Sequence, residues 1–217
     1  MAIPFLAWAA LYGSALPAIA GGIRYRRLNL PTKIVFVYCV ITALQEFGLL
    51  LIAHVYHSNL SWANFFLGLE PVLLGTIYSI ALGRGMQRRL VILIGILFVA
   101  FWVPDRLFYE VPGRLNESVG MWSRIAVVAM SIIVLHTIAH TTTSVLTDEP
   151  FFWFTTASLL NSAGAIFVLG TGNELFAMGM SYFQAAWNLN WSLDLTSYLL
   201  YTRGFFCKNN SAISFGR

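Results

Sequence analysis

The chain has 217 residues, 58% of them hydrophobic and only 10% charged, too little charge to wet the surface of a soluble domain. A membrane-spanning helix takes about 20 apolar residues, so this length allows seven or eight spans with short connections and no separate soluble domain. The net charge of +4 is small, and Lys and Arg gather between apolar segments, which excludes a nucleic-acid-binding surface.

Hydrophobic windows predict spans over Ile3 to Ile23, Ile34 to Val55, Ala63 to Leu82, Leu90 to Phe108, Val119 to His140, Phe151 to Leu169 and Tyr182 to Phe206. Breakers fall between them at Asn29-Leu30-Pro31, Gly83-Arg84-Gly85, Val111-Pro112-Gly113 and Glu149-Pro150. In the first segment Ala18-Ile19-Ala20 has the form of a cleavage site. No basic residue precedes that apolar run, and Arg24, Arg26 and Arg27 follow it, so it reads as an uncleaved span. The expected fold is all-α: a polytopic membrane protein with one bundle of seven transmembrane helices over residues 1–207 and a short polar tail over 208–217.

Charge orients that bundle. The first connection holds Arg24, Arg26, Arg27 and Lys33, the third Arg84, Arg88 and Arg89, and the last turn and tail Arg203, Lys208 and Arg217. The second connection has no basic residue, and the fourth sets Arg106 and Arg114 against Asp105, Glu110 and Glu117. The excess of basic residues on the cytoplasmic side puts the N-terminus outside and the C-terminus in the cytoplasm. The connection with Asp148 and Glu149 is the exception, being acidic where a basic one is expected. Trp62, Trp102, Trp122 and Trp153 fall near span ends, where an indole anchors at the headgroup level. Cys39 and Cys207 lie far apart and make neither a disulfide framework nor a metal motif.

Ionisable side chains at membrane depth are expensive and raise a functional question by default. They are Glu46 in the second span, Glu70 in the third, Arg124 in the fifth and Asp194 in the seventh. At a rise of about 1.5 Å per residue, Glu46 and Glu70 fall at nearly one level, somewhat outside the midplane, with Arg124 as their natural counter-ion. Two carboxyls close together in a low dielectric cannot both ionise cheaply, so such a site could bind a cationic or polar ligand or relay protons. The alternative is that these groups only tie helices together.

Tyr38, Thr42, Gln45 and Glu46 share one face of the second span, and Pro71, which directly follows Glu70, removes a helical hydrogen bond beside it. Trp187, Trp191, Asp194, Tyr198 and Tyr201 form a stripe along the seventh span that lines a pocket or packs a core. Ser158, Asn161 and the run Ser162-Ala163-Gly164-Ala165 predict close helix contact in the sixth span, with Asn161 bonding across it; Gly13, Pro17 and Gly21 predict the same in the first.

His136 and His140 share a helical face and form the alternative metal site, since a zinc pair needs that spacing plus a third ligand. Both lysines lie outside the spans, which excludes a retinal Schiff base. Walker, dinucleotide-binding, nucleophile-elbow and His-Glu-x-x-His motifs are absent, and no cofactor is expected.

Gln45-Glu46, Leu69-Glu70, Phe152-Trp153 through Asn161 and Gly164, and Trp187-Asn188-Leu189-Asn190 resemble the polar positions of a group of small uncharacterised seven-helix membrane proteins of Bacteroidetes-type bacteria. The resemblance covers most of the chain and implies an inner-membrane location without an established activity. His136-Thr137-Ile138-Ala139-His140 is similar to the zinc-binding His-x-x-x-His of seven-helix lipid hydrolases of the ceramidase kind, although it lies in the fifth span rather than the last. The leading expectation is a non-enzymatic, receptor-like or accessory bundle that binds a small ligand, a lipid or a partner helix. Its outward-facing polar pocket would be made by Gln45, Glu46, Glu70, Arg124, Asn161, Trp191 and Asp194. A proton-coupled transporter using Glu46 and Glu70, and a zinc-dependent intramembrane lipid hydrolase, are the alternatives.

Overall fold

The computed structural model describes residues 4–111, 114–142 and 145–207. The expected tail over 208–217 and the Pro112-Gly113 breaker lie outside the described residues. Among the described residues the chain is all-helical. Its α-helices are α1 (Phe5–Gly13), α2 (Ala15–Arg24), α3 (Leu30–Tyr56), α4 (Leu60–Ala81), α5 (Met86–Pro104), α6 (Glu117–Thr141), α7 (Pro150–Gly170), α8 (Gly172–Met178) and α9 (Met180–Phe205). Helices α1 and α2 run on with a 3-10 turn as one stretch, Phe5–Arg27, broken only at Ser14.

Six helical stretches are long and apolar enough to cross a membrane, which marks the chain as a membrane protein: Phe5–Arg27, Leu30–Tyr56, Leu60–Ala81, Met86–Tyr109, Glu117–Thr141 and Pro150–Gly170. Helix α9 has 26 residues, long enough, but it carries Asn188, Asn190 and Asp194 among its apolar residues and falls outside that set.

Local chemistry sets the helix ends. The Asn29 side chain accepts the backbone N–H of Thr32 at 3.0 Å, with Pro31 in the first turn of α3, and Asn116 accepts that of Val119 at 3.0 Å to start α6. Pro150 opens α7. Helix α3 stops where His57 turns left-handed, at φ 58°. Gly179, at φ 134°, supplies a backbone angle other residues rarely adopt, and so separates α8 from α9. Pro104 closes α5, and a π-helical turn over Asp105–Tyr109 follows it.

Short connections make successive long helices antiparallel. Helix α7 packs against α6 and α9, α9 against α1 and α2, α2 against α3, and α4 against α3, α5 and α6. The α7–α9 register is itself antiparallel: Phe154 meets Gly204, Ser158 meets Tyr201, and Asn161 meets Asp194. The expected close contacts are present. A side chain at Gly164 would run into Leu193, one at Gly13 into Leu195, and one at Gly21 into Phe36.

The basic residues of the first and third connections and of the end of α9 share one end of the bundle. There Lys33 lies over the Tyr25 ring at 5.0 Å, Arg24 over Phe206 at 5.8 Å and Arg203 over Trp153 at 5.7 Å. The acidic α6–α7 connection belongs to this end too, where Asp148, Glu149, Arg203 and Arg24 all lie within electrostatic reach of Cys207. Trp153 donates its indole N–H to the Thr147 carbonyl at 2.8 Å.

The largest buried apolar side chains, among them Tyr78, Phe154, Phe205, Met130, Val134 and Ile138, fill the half of the bundle nearest the basic end. At the opposite end Asn64 ties α4 to the α5–α6 connection. It donates to the Glu110 carboxylate at 3.2 Å and to the Arg114 carbonyl at 2.9 Å, and accepts the Asn116 backbone N–H at 2.9 Å. Helix α5 stands at the periphery with Leu93, Ile96 and Leu97 exposed, the residues expected on a lipid-facing side.

Candidate functional site

A cavity of about 80 Å³ opens inside the half of the bundle away from the basic end. That is several times the roughly 10–15 Å³ that one water requires. Its polar lining includes Gln45 and Glu46 from α3, Glu70 from α4, Arg124 from α6, Asn161 from α7 and Asp194 from α9, so five helices converge on it. Helical rise accounts for the convergence. Glu46 lies ten residues before the end of α3 and Glu70 ten after the start of α4, about 15 Å from the same end of the bundle. Asn161 lies about 14 Å from that end and Arg124 about 10 Å. Asp194 is about 21 Å into α9, which starts beyond the short α8.

The expected counter-ion is in place: Arg124 Nη1 donates to Glu70 Oε1 at 2.8 Å. Those side chains keep 11% and 22% of their exposure respectively, so the cavity is not sealed. Asp194 is held differently. Asn161 Nδ2 donates to one of its oxygens at 3.0 Å, and Asn190 Nδ2, one helical turn earlier on α9, donates to the other at 3.0 Å. Asn161 therefore bonds across helices as expected, but its own Oδ1 is left buried without a partner, as is Arg124 Nε. The Glu46 carboxylate has no hydrogen-bond partner among the described residues, although Asp194, Glu70 and Arg124 all lie within electrostatic reach.

Three carboxylates thus share the layer with one guanidinium, an excess of two negative charges if all are ionised. A low dielectric does not sustain such an excess, which must be met by protons or by a cation. The wall toward the basic end is aromatic and hydroxylic, with Tyr38 and Tyr201 rings 6.0 Å apart and the Ser158 hydroxyl 2.6 Å from that of Tyr201. Tyr198 also lines the cavity, as does Ser14 at the break between α1 and α2; the Ser14 hydroxyl donates back to the Leu11 carbonyl at 2.6 Å. Pro71 is buried directly behind Glu70.

Two expected positions lie elsewhere. Trp191 is not part of the cavity wall but continues an aromatic file with Trp187 and Phe183 toward α8. His136 and His140 set their rings 4.4 Å apart and tilted to each other on an exposed side of α6, away from the cavity, and no group of three or more metal-ligating side chains forms among the described residues. The lining residues with no role in the sequence reading are Ser14, Ile41, Phe66, Leu73 and Ser197, and Cys39, read there as having none, lines it too. Asn190, the second donor to Asp194, had a usable signal, since an amide four residues before a carboxylate on a helix faces it.

Outside the spans, burial pushes the Glu149 carboxyl up to about 7, with the Phe151 backbone N–H pulling the other way, and burial raises the Cys207 thiol. Glu149 Oε1 is buried without a partner at the mouth of α7.

No protein-family model, curated protein or solved structure matches the chain, so its reading rests on the residues themselves.

Proposed function

We propose that this is a non-enzymatic membrane protein that binds a small polar ligand in the cavity between α3, α4, α6, α7 and α9. In this reading α9 is the seventh span, the basic end faces the cytoplasm and the cavity opens toward the outside of an inner membrane. The location is the one implied by the resemblance to small seven-helix proteins of Bacteroidetes-type bacteria. The observation that carries the reading is convergence: six dispersed polar residues on five helices share one cavity with incompletely satisfied groups.

Thermal unfolding of purified protein with candidate ligands tests it. Binding raises Tm, and Glu46→Gln and Glu70→Gln change that rise; equal rises in parent and both variants would remove the cavity from the account. Orientation is tested separately with Ser58→Cys and Arg84→Cys in intact cells. An impermeant maleimide should label the first and reach the second only after permeabilisation.

The unpartnered Glu46 favours one second reading, proton-coupled transport with Glu46 and Glu70 as carriers. Uptake into proteoliposomes would then follow a pH gradient and fall in both Gln variants.

A further inference from the structure

We infer that the occupant of this cavity is a small organic monocation of the ammonium type, with Glu46 as its counter-ion. The inference rests on the binding reading above and narrows it to one chemistry.

The allocation of partners carries the argument. The one guanidinium in the layer is engaged by Glu70 at 2.8 Å. Asp194 already receives an amide N–H on each oxygen. Glu46 receives nothing, and Asn161, having given its amide to Asp194, presents a buried acceptor oxygen without a donor. What the lining lacks is therefore positive charge to face Glu46, and an alkylammonium group supplies it together with N–H groups for the Asn161 oxygen. Arg124 Nε is a buried donor without a partner, but it belongs to a side chain already ion-paired, and the Gln45 amide is neutral and cannot balance the carboxylates.

An anion would have to displace Glu70 from Arg124 while sitting beside two further carboxylates, and a neutral ligand would leave the charge excess where it is. A zinc-like metal ion is a poor match, because the described residues include no group of three or more His, Cys, Asp or Glu side chains placed to hold one. The walls supplied by Tyr38, Phe66, Tyr198 and Tyr201 suit an organic cation, which ring faces attract when water is excluded. A volume of about 80 Å³ limits the charged end to a few heavy atoms.

The test uses the full-length protein in nanodiscs of zwitterionic lipid. Its Tm is followed during titration with methylammonium and ethylammonium chloride, against sodium chloride, sodium acetate and acetamide at matched ionic strength. Alkylammonium should raise Tm saturably, and Glu46→Gln should weaken its apparent affinity at least about tenfold, a loss of the order expected for one charge-assisted contact. Glu46→Asp, which keeps the charge, should retain part of the affinity and guards against a folding defect in the Gln variant. Saturable stabilisation by acetate or acetamide, with none by alkylammonium, would overturn the cationic assignment while leaving a binding cavity. Stabilisation reproduced by acidification alone, with nothing added by alkylammonium, would make the proton the occupant and also overturn it. No shift with any probe or with acidification would overturn the assignment and the binding reading together.

Discussion

Removing either partner of the Glu70–Arg124 pair should have unequal consequences, and the inequality follows from the charge of the layer. With Glu46, Glu70 and Asp194 against Arg124, the formal sum is −3 + 1 = −2. Glu70→Gln leaves −1, so the loss of the 2.8 Å ion pair is offset by relief of repulsion. Arg124→Gln leaves −3, and nothing offsets it. Removing one partner of a fully buried pair costs about 3–5 kcal/mol. Side-chain exposures of 11% and 22% place this pair near the lower end of that range. Arg124→Gln should therefore lose about 3 kcal/mol, or about 6–12 °C in Tm for a chain of this size. Glu70→Gln should lose about 1 kcal/mol or less. The double variant should recover part of the Arg124→Gln loss, with a coupling energy of about 1–2 kcal/mol. Protonation of the remaining carboxylates relieves their repulsion, so the Arg124→Gln deficit should also shrink on acidification. The assay is thermal unfolding of the four proteins in one detergent. Equal losses in the two single variants, with coupling under about 0.5 kcal/mol, would refute the charge argument.

Two further predictions concern packing and pH. A methyl group at Gly68 would overlap the Trp102 indole across the α4–α5 contact, so Gly68→Ala should lose about 1–3 kcal/mol and Trp102→Leu in the same chain should restore part of it; additive losses in a thermal-melt cycle would show that the two do not meet. Glu149 stands at about 7 in the folded chain against an ordinary value of 4.5, so it contributes nothing unfavourable below about pH 4.5, and folding loses stability as the pH rises from there through about 7. The full span is worth at most roughly 3 kcal/mol, and water at this end of the bundle reduces it to about half. Glu149→Gln should thus melt higher than the parent by more at about pH 8 than at about pH 5, and a difference that does not change with pH would refute it.

The polar layer was legible in the sequence because two rules acted together. Intramembrane charge is expensive enough to single out Glu46, Glu70, Arg124 and Asp194, and helical rise is regular enough to rank their depth. Rotation about the helix axis was harder to read. The stripe Trp187, Trp191, Asp194, Tyr198 and Tyr201 is continuous in spacing, yet only its last three members reach the cavity. The stripe is about 21 Å long, and the helices around it change along that length, so one face meets different neighbours at its two ends. Trp102 shows the same gap: read as a headgroup anchor from its position along α5, it lies across Gly68 and stacks on Phe98 at 6.4 Å, a contact set by rotation and by the absence of a side chain on α4. Ser14 was invisible for a different reason. A serine among Gly, Ala and Leu signals nothing until the helix breaks at it and brings it to the cavity wall.

Helix α9 joins these points. It is the least apolar of the long helices, and it also supplies Asp194, Asn190, Ser197, Tyr198 and Tyr201 to the cavity and its immediate support. On the proposed seven-span arrangement its polarity is a consequence of its place. Helices α1, α2 and α7 pack against it, Ser197 donates to the Ala157 carbonyl on α7 at 3.1 Å, and Asn161 meets Asp194 from the same helix. Asp194 and Ser197, polar groups that would be costly toward lipid, are therefore satisfied toward protein. Helix α5 shows the converse: among the long helices it packs mainly against α4 and α6, contributes nothing to the cavity, and carries the apolar surface that lipid demands. On that arrangement the helix that carries most of the site is the one a hydropathy count leaves out, because the side chains that lower its hydropathy line and support the cavity.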